Sequence, residues 1–248
     1  MTDSLESFKI RVEVGLLLSI ILPTYNEREN ITPLVEAIFR VVSKPMELLI
    51  VDDDSPDRTW EVAQALEERF KELHLIRRPG KRGLTAALNE GLSRSQGDKV
   101  LWMDADFSMP PEAIPHLTRF LKTYPVVIGS RYVEGGKDAR GSFFPVFLSR
   151  WFNALAKFLL GGVTDYTTGY VAVRRVVWEK IGLTGNYGEY CIRFLYQAKR
   201  AGYTICEVPY VCGPRQVGHS KTFASPRRAI RHGKDYLWTL LSLWIAHA

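Results

Sequence analysis

The sequence predicts an α/β fold with a mostly parallel sheet that is flanked by helices. Aliphatic runs of strand length alternate with segments of helical periodicity over the first 130 residues. This order requires crossover connections, which place helices on both faces of a parallel sheet. The composition agrees, because 46% hydrophobic and 24% charged residues are close to the average of globular proteins.

The first strand and the first helix show the two patterns clearly. Residues 16–22 form a continuous aliphatic run that ends at Pro23, as in a strand buried on both faces. Residues 29–42 repeat apolar side chains at helical spacing. Ser55 precedes Pro56 and is the expected cap of the second helix. The remaining strands of this part are expected at 47–51, 73–76, 99–103 and 126–128, and the remaining helices at 55–71, 83–95 and 111–122.

After residue 140 the alternation weakens. A helix with a broad apolar side is expected at 143–160, and a basic helix that turns apolar is expected from Pro226 onward. Between them the sequence predicts strands at 169–173 and 203–208 and a helix at 187–200. None of the apolar stretches is a convincing transmembrane helix, although spans that follow Ala248 would fit the apolar end.

Charge and cysteine usage narrow the class of protein. The formal net charge is +6, and the basic excess lies in the last third of the sequence. Such an end suits nucleic acid, an anionic membrane or a phosphorylated substrate, and it is also typical of a solvated face. The three cysteines match no metal motif, and their odd number argues against a disulfide framework.

Three polar clusters follow predicted strands, at 25–27, 52–54 and 104–106. Ligands of open α/β sheets bind at the carboxyl ends of the strands, so we expect one shared site. Asp104 and Asp106 offer the oxygen ligands that Mg²⁺ or Mn²⁺ takes, although an Asp-rich turn has the same pattern. Of the acids at 52–54, Asp53 is expected to be functional and Asp54 structural.

Cations follow in three loops, and each of them fits either a phosphate or a solvated surface. Residues 81–83 form a basic loop that enters a helix, which suits a diphosphate. Arg131 ends the fifth strand, and its guanidinium is suited to bidentate contact with phosphate. Arg215 and Lys221 lie six residues apart in a glycine-containing loop that would close over an anionic acceptor.

Six blocks of the sequence resemble the inverting family-two glycosyltransferases with a GT-A fold. Within that family they are most similar to dolichol-phosphate mannose synthases. The resemblance extends in order from about residue 17 to residue 222. The blocks are PTYNERENI, VDDDSPDRTW, GLTAALNEGL, MDADFSMPPE, GSRYVEGG and EVPYVCGPRQVGHSK.

The resemblance implies roles for particular residues and a divalent cofactor, Mn²⁺ or Mg²⁺. The nucleoside pocket would be lined by Pro23, Tyr25, Glu27, Val51 and Asp53. Asp104 and Asp106 would bind the metal and the diphosphate, with Ala105 against the nucleotide and Ser108 as a weaker candidate for a third metal ligand. The phosphates of donor and acceptor would be held by Arg131, Arg215 and Lys221, which with Asp106 form the expected catalytic set.

The implied reaction transfers a sugar, with mannose and GDP-mannose favoured, to a polyprenyl or dolichyl phosphate with inversion. A UDP-sugar donor, a hydroxyl acceptor and a nucleotide-binding regulatory module remain alternatives. A hydroxyl acceptor would require a catalytic carboxylate, but no Glu-Asp pair with that placement follows residue 140. The QxxRW motif of processive polysaccharide synthases is absent from the sequence.

The resemblance also implies an organisation and a location. Residues 1–222 would form the transferase domain, with a nucleotide-sugar half at 16–135, an acceptor half at 136–222 and a surface anchor at 223–248. The partners would be a nucleotide sugar, a lipid phosphate and a membrane surface, with no nucleic acid, and later spans or an anchoring partner would hold the chain. The expected location is peripheral, on the cytoplasmic face of the plasma membrane of a prokaryote or of the endoplasmic reticulum of a eukaryote.

Some residues depart from the family pattern. Ser108 stands where some relatives have a metal-ligating Gln, and His219 replaces a Glu. Pro145 falls where a basic residue often precedes the position of Ser149. These changes lie mostly in the acceptor half and therefore concern the identity of the sugar and lipid more than the type of reaction.

Overall fold

The protein folds around one seven-stranded sheet with the strand order β3–β2–β1–β4–β7–β5–β8. It is described here from a computed structural model that covers residues 17–80, 82–141, 143–215 and 226–246, with the backbone alone at 226–230. The strands are β1 (Leu18–Thr24), β2 (Met46–Asp52), β3 (Leu73–Arg77), β4 (Lys99–Trp102), β5 (Val126–Ser130), β7 (Val171–Arg174) and β8 (Ile205–Pro209). Two short strands, β6 (Lys137–Asp138) and β9 (Val211–Cys212), pair separately.

Helices cover both faces of the sheet, as the alternating pattern predicts. They are α1 (Arg28–Val41), α2 (Thr59–Arg69), α3 (Leu84–Arg94), α4 (Ile114–Phe120), α5 (Phe143–Leu160), α6 (Arg175–Ile181), α7 (Glu189–Arg200) and α8 (Pro226–Ile245). A single 3₁₀ turn at Pro111–Ala113 precedes α4. The predicted mostly parallel α/β fold is therefore confirmed.

Two apolar cores lie on opposite faces of the sheet. In β1, Ile20 and Leu22 face one core while Ile21 faces the other, because successive side chains of a strand point in opposite directions. One core is completed by α1, α2 and α4, and the other by α3 and α5–α8. Leu240 of α8 is fully buried, so the C-terminal helix packs on the same unit as the sheet.

The structure adds the direction of β7, which the sequence does not specify, contains the short strands β6 and β9, which were not predicted, and differs from the prediction at α6 and α2. β7 runs antiparallel between β4 and β5, because the chain returns from the carboxyl edge of the sheet after residue 130. α6 was not predicted, since its seven residues are too few for a clear helical period. α2 begins at Thr59 rather than after Ser55, and its first N–H is held by Asp57 Oδ1 at 2.9 Å.

Candidate active site at the carboxyl edge of the sheet

The predicted polar clusters meet at one edge of the sheet. β1 and β2 end side by side, with Thr24 opposite Asp52, and β4 runs parallel to β1 on its other side. The loops after these three strands therefore leave the same edge, as their parallel direction requires. This arrangement brings Glu27, Asp53 and Asp104 into one region.

The three adjacent acids at 52–54 have different partners. Asp52 is fully buried and accepts hydrogen bonds from Thr24 Oγ1 at 2.8 Å and from the N–H of Ser55 at 2.8 Å. Asp54 pairs with Arg77 at the surface, with a shortest N–O distance of 2.6 Å. Both side chains thus hold the loop in place. This structural role was expected for Asp54, whereas the sequence predicted no role for Asp52.

Asp53 is held at the mouth of the site by two donors. Its Oδ1 lies 2.5 Å from Nη1 of the buried Arg78, and its Oδ2 accepts the N–H of Gly83 at 2.7 Å. Burial raises the pKa of Asp53 above its ordinary value, although the hydrogen bond from Gly83 and the charge of Arg78 act in the opposite direction. The predicted basic loop thus contributes a backbone N–H from Gly83, while Lys81 lies outside the described residues.

Arg215 joins two of the predicted acids. Its Nη1 lies 3.0 Å from Oε1 of Glu27, and its Nη2 lies 2.6 Å from Oδ2 of Asp106. Glu27 is further fixed by Asn30, whose Nδ2 donates to Oε2 at 2.8 Å. Residues far apart in the sequence are therefore brought together, and one guanidinium balances two carboxylates.

The loop at 104–108 is fixed by backbone hydrogen bonds. Oδ1 of Asp106 accepts the N–H of Ser108 at 3.0 Å, and the carbonyl of Ser108 accepts the N–H of Gly213 at 3.1 Å. The segment that carries Arg215 is thereby tied to the loop that carries Asp104 and Asp106. Ala105 is buried beneath the loop, so its side chain packs against the core.

The donor set at Asp104 and Asp106 fits a hard divalent cation. Within the described residues, no group of three His, Cys, Asp or Glu side chains is placed to hold a metal ion. Two carboxylates suit Mg²⁺ or Mn²⁺ when substrate phosphate and water complete the shell. The guanidinium of Arg215 at Asp106 Oδ2 shows that positive charge is stabilised at this carboxylate.

Arg131 is the predicted site residue whose environment differs most from the expectation. Its Nε and Nη2 donate to the two carboxylate oxygens of Asp165 at 2.8 and 2.7 Å, and Nη2 also donates to Thr167 Oγ1 at 2.8 Å. Burial alone would lower the pKa of Arg131, but Asp165 outweighs it and raises that pKa well above its ordinary value. In this structure the guanidinium of Arg131 is therefore buried in an ion pair that holds the loop after α5, and it is not accessible to a phosphate.

The remaining predicted residues divide into three groups. Pro23 and Tyr25 are partly exposed at the edge, and Arg82 lies over the ring of Tyr25 at 5.0 Å. The side chain of Val51 is fully buried in the core, so in this structure it does not line the pocket. Lys221 lies outside the described residues.

Two partners in this region escaped the sequence reasoning. No role was predicted for Arg78, which pairs with Asp53, or for Asp165, because nothing local marks a partner 34 residues away from Arg131. The only available signal was that both are charged residues. A charged side chain that becomes buried among apolar residues is expected to have an oppositely charged partner.

Comparisons of the sequence with known proteins give matches over most of the chain. The profile of the family described as Glycosyl transferase family 2 matches residues 19–182. The chain is 36% identical over 209 residues to a dolichol-phosphate mannosyltransferase of Pyrococcus furiosus, covering 82% of this chain and 58% of that protein. It is 37% identical over 215 residues to a polyprenol monophosphomannose synthase of Mycolicibacterium smegmatis, covering 83% of this chain and 81% of that protein.

Solved structures show the same fold. Glucosyl-3-phosphoglycerate synthase from Mycobacterium tuberculosis, crystallised with Mn²⁺, UDP and glucosyl-3-phosphoglycerate, superposes with a TM-score of 0.71 at 23% identity. That match covers 92% of this chain and 80% of the solved chain. A complex of the same enzyme with Mg²⁺ and UDP gives a TM-score of 0.69. With the profile match over 19–182 and two relatives above 30% identity, the chain belongs to glycosyl transferase family 2.

Proposed function

We propose that this protein transfers mannose from GDP-mannose to a polyprenyl phosphate with inversion at the anomeric carbon. The names of the two curated relatives support the class of sugar and acceptor. The chain spans 58% of the length of one of these relatives, so the reaction of the whole protein is inferred for this chain. Support from the structure comes from the carboxylates of its acceptor half.

The buried and half-buried carboxylates described between residues 136 and 215 already have partners. Asp138 pairs with Arg140 at 2.6 Å, and Asp165 pairs with Arg131 at 2.7 Å. Glu189, at the start of α7, accepts the N–H groups of the two preceding loop residues 186 and 187 at 2.7 and 3.1 Å. Each group thus has a structural role, and this is the observation that carries the proposal.

Glu207 completes this set. Its Oε2 accepts the N–H of Thr164 at 2.8 Å, and its Oε1 accepts the N–H of Asp165 at 3.2 Å. A hydroxyl acceptor needs a general base within hydrogen-bonding reach of its proton. The described acceptor half holds its buried carboxylates in other contacts, which favours an acceptor that needs no base.

A phosphate monoester is such an acceptor. Its second pKa is about 6, so near neutral pH it is largely a dianion. One of its oxygens forms the new bond to the anomeric carbon while the bond from that carbon to the diphosphate oxygen breaks, and the electron pair leaves with the nucleoside diphosphate. In-line attack converts an α-linked donor into a β-linked product.

The residues at the edge of the sheet would manage the charges of this reaction. Asp53 would accept hydrogen bonds from the nucleoside, and Arg215 would turn from Asp106 toward the diphosphate when a donor binds. A divalent cation at Asp104 and Asp106 would neutralise the charge that develops on the leaving diphosphate. Arg131 acts as a positioning residue through Asp165, and Lys221 is assigned to phosphate by sequence alone.

We further propose that α5 and α8 bind the surface of a membrane, on its cytoplasmic face. α5 is long and apolar enough to span a bilayer, yet only 17% of it is buried inside the protein. Phe143 and Phe158 are 85% and 84% exposed, and Trp238 of α8 is 71% exposed. Basic residues accompany the apolar ones on both helices, a combination suited to an anionic lipid surface.

A donor screen tests the reaction. Purified protein is incubated with a short polyprenyl phosphate, Mn²⁺ or Mg²⁺, and radiolabelled GDP-mannose, UDP-glucose or UDP-galactose, and labelled lipid is measured after extraction. We expect GDP-mannose to be the preferred donor and Asp106→Ala to lower the rate by about 10²-fold or more. A wild-type protein that labels no lipid with any donor, or an Asp106→Ala variant with unchanged rate, would contradict the proposal.

A further inference from the structure

Gly169 lies next to Asp104 at the edge of the sheet. β4 and β7 pair in antiparallel register with Trp102 opposite Val171, and two residues farther this register places Asp104 opposite Gly169. The register of β5 and β7 places Ser130, which precedes Arg131, on the other side of Gly169. Gly169 therefore lies between the carboxylate assigned to the diphosphate and the strand that leads to Arg131.

The backbone does not demand glycine at this position. The φ angle of Gly169 is outside the left-handed range that favours glycine. A Cβ atom placed there would lie 3.1 Å from Cε of Met109, which is the far end of a flexible side chain. Alanine would require that buried methyl group to shift by a few tenths of an ångström, so backbone strain does not explain the missing side chain.

The space that the missing side chain leaves open faces Asp104. The same Cβ atom would lie 3.7 Å from Oδ1 and 3.8 Å from Oδ2 of Asp104. Directly opposed residues of neighbouring antiparallel strands share one face of a sheet, so a side chain at position 169 would stand beside this carboxylate. Glycine keeps one flank of Asp104 accessible to a ligand.

The order of the strands indicates which part of a ligand would lie there. Asp53 follows β2 and Pro23 ends the buried part of β1, so the nucleoside side of the edge precedes β4. β5 leads into the part of the chain assigned to the acceptor, and the two strands β4 and β5 are separated only by β7, with neighbouring strands about 4.8 Å apart. A group in transit between the diphosphate and the acceptor must pass over β7.

We infer that Gly169 forms the floor of the pocket for the transferred sugar and limits which hexosyl groups the site accepts. The inference rests on the proposed function, because it assumes that the ligand is a nucleoside-diphosphate sugar. It adds a residue that selects for the sugar and leaves the nucleoside contacts unchanged. A methyl group at position 169 would compete with the sugar ring for the space beside Asp104.

Gly169→Ala tests this inference, with Gly233→Ala as the matched control for the two nucleotide affinities. Gly233 lies on α8, and a Cβ atom there would meet nothing within 4 Å. Affinities for GDP and for GDP-mannose are measured by calorimetry with Mn²⁺, together with the melting temperature and the rate of lipid labelling. We expect Gly169→Ala to keep its GDP affinity within about twofold but to lose about tenfold in GDP-mannose affinity or in rate.

Each result decides the inference. An unchanged ratio of GDP-mannose to GDP affinity together with an unchanged rate would overturn it. So would a Gly169→Ala protein that unfolds, because the space would then be part of the packing rather than of the pocket. If the wild type binds GDP-mannose but labels no lipid, the proposal of a lipid-phosphate acceptor is wrong. The ratio of the GDP-mannose and GDP affinities still tests whether Gly169 borders the sugar.

Discussion

Asp53 combines a structural role with the binding role that we propose for it. It is buried at the end of β2, where Arg78 supplies a positive charge and Gly83 supplies a backbone N–H. A buried carboxylate is costly unless it is paired, and these two donors meet that requirement. The pairing also holds the basic loop before α3 against the edge, so the shape of the proposed nucleoside pocket depends on the ionised form of Asp53.

The pH dependence of nucleotide binding follows from this residue. Burial raises the pKa of Asp53, so its carboxylate takes up a proton at a higher pH than an exposed Asp would. We expect the affinity for GDP to fall as the pH is lowered, beginning at a higher pH than the titration of an exposed Asp would give, measured by calorimetry in the absence of metal. The protonated carboxyl no longer balances Arg78 and accepts fewer hydrogen bonds, which loosens the pocket.

Asp53→Asn provides the control, because an amide does not titrate in this range. The variant is expected to bind GDP more weakly at neutral pH and with a flatter dependence on pH than the wild type. Parallel pH profiles for the two proteins would show that another group, such as the phosphate of the ligand, causes the change.

The sequence predicts the acids of the site better than it predicts their partners. Asp104, Asp106 and Glu27 follow aliphatic runs of β4 and β1, so the strand pattern alone places them at one edge. The partner of Arg131 depends on where a 34-residue excursion returns to the sheet, which no local pattern specifies. Arg131 therefore has the same sequence signature as an open cation but forms a buried ion pair.

At the scale of elements, α5 has two faces with different chemistry. One face is exposed and carries Phe143 and Phe158. The opposite face is buried: Ala156 and Leu160 pack into the core, and Asn153, which is 1% exposed, ties the helix to the acceptor half. Asn153 Nδ2 donates to Thr167 Oγ1 at 2.8 Å, and its Oδ1 accepts the N–H of Tyr166 at 2.7 Å. Since Thr167 also contacts Arg131, the helix and the buried ion pair are connected by one amide.

A pair of substitutions on α5 separates the two faces. Asn153→Ala leaves the buried N–H of Tyr166 without its partner, so we expect it to lower the free energy of unfolding by about 1–3 kcal/mol in urea titrations. Phe158→Ser changes an exposed position and is expected to alter that free energy by less than about 0.5 kcal/mol. On anionic vesicles the order should reverse, with Phe158→Ser binding more weakly and Asn153→Ala binding like the wild type.

Sedimentation with vesicles of phosphatidylglycerol and phosphatidylcholine gives the second measurement. If Phe158→Ser sediments with the vesicles as well as the wild type does, the exposed face of α5 is not the membrane contact that we propose. Neutral vesicles serve as the control for the basic residues, since the electrostatic part of the binding requires anionic lipid.

Elements with a long, regular pattern and the buried strands of the sheet were predicted well, whereas α6 and the two-residue strands β6 and β9 were not. α1 and α5 have a clear apolar period, and the sequence places both within one residue of their observed ends. The sequence of β7 does not predict its direction, because a buried strand of four residues has the same apolar pattern in a parallel and in an antiparallel sheet. That direction nevertheless decides which residue stands beside Asp104.

At the scale of the whole molecule, the candidate site draws on much of the fold. It takes side chains from the ends of β1, β2 and β4 and from the loop that carries Arg215. A ligand that bridges these elements binds the folded state and has no comparable site in the unfolded chain. Its binding free energy therefore adds to the stability of the whole unit.

Thermal unfolding with nucleotide and metal tests this coupling. At a ligand concentration of 100 times Kd, the stabilisation is about 2.7 kcal/mol. For a chain of this size, 1 kcal/mol corresponds to about 2–4 °C, so GDP with Mn²⁺ should raise Tm by about 5–10 °C. The double variant Asp104→Asn, Asp106→Asn should lose the part of the shift that requires Mn²⁺ and retain the smaller shift that GDP gives in EDTA. If the variant shows the same metal-dependent shift as the wild type, the cation binds at other residues. If UDP raises Tm more than GDP does, the donor is a uridine nucleotide sugar and not GDP-mannose.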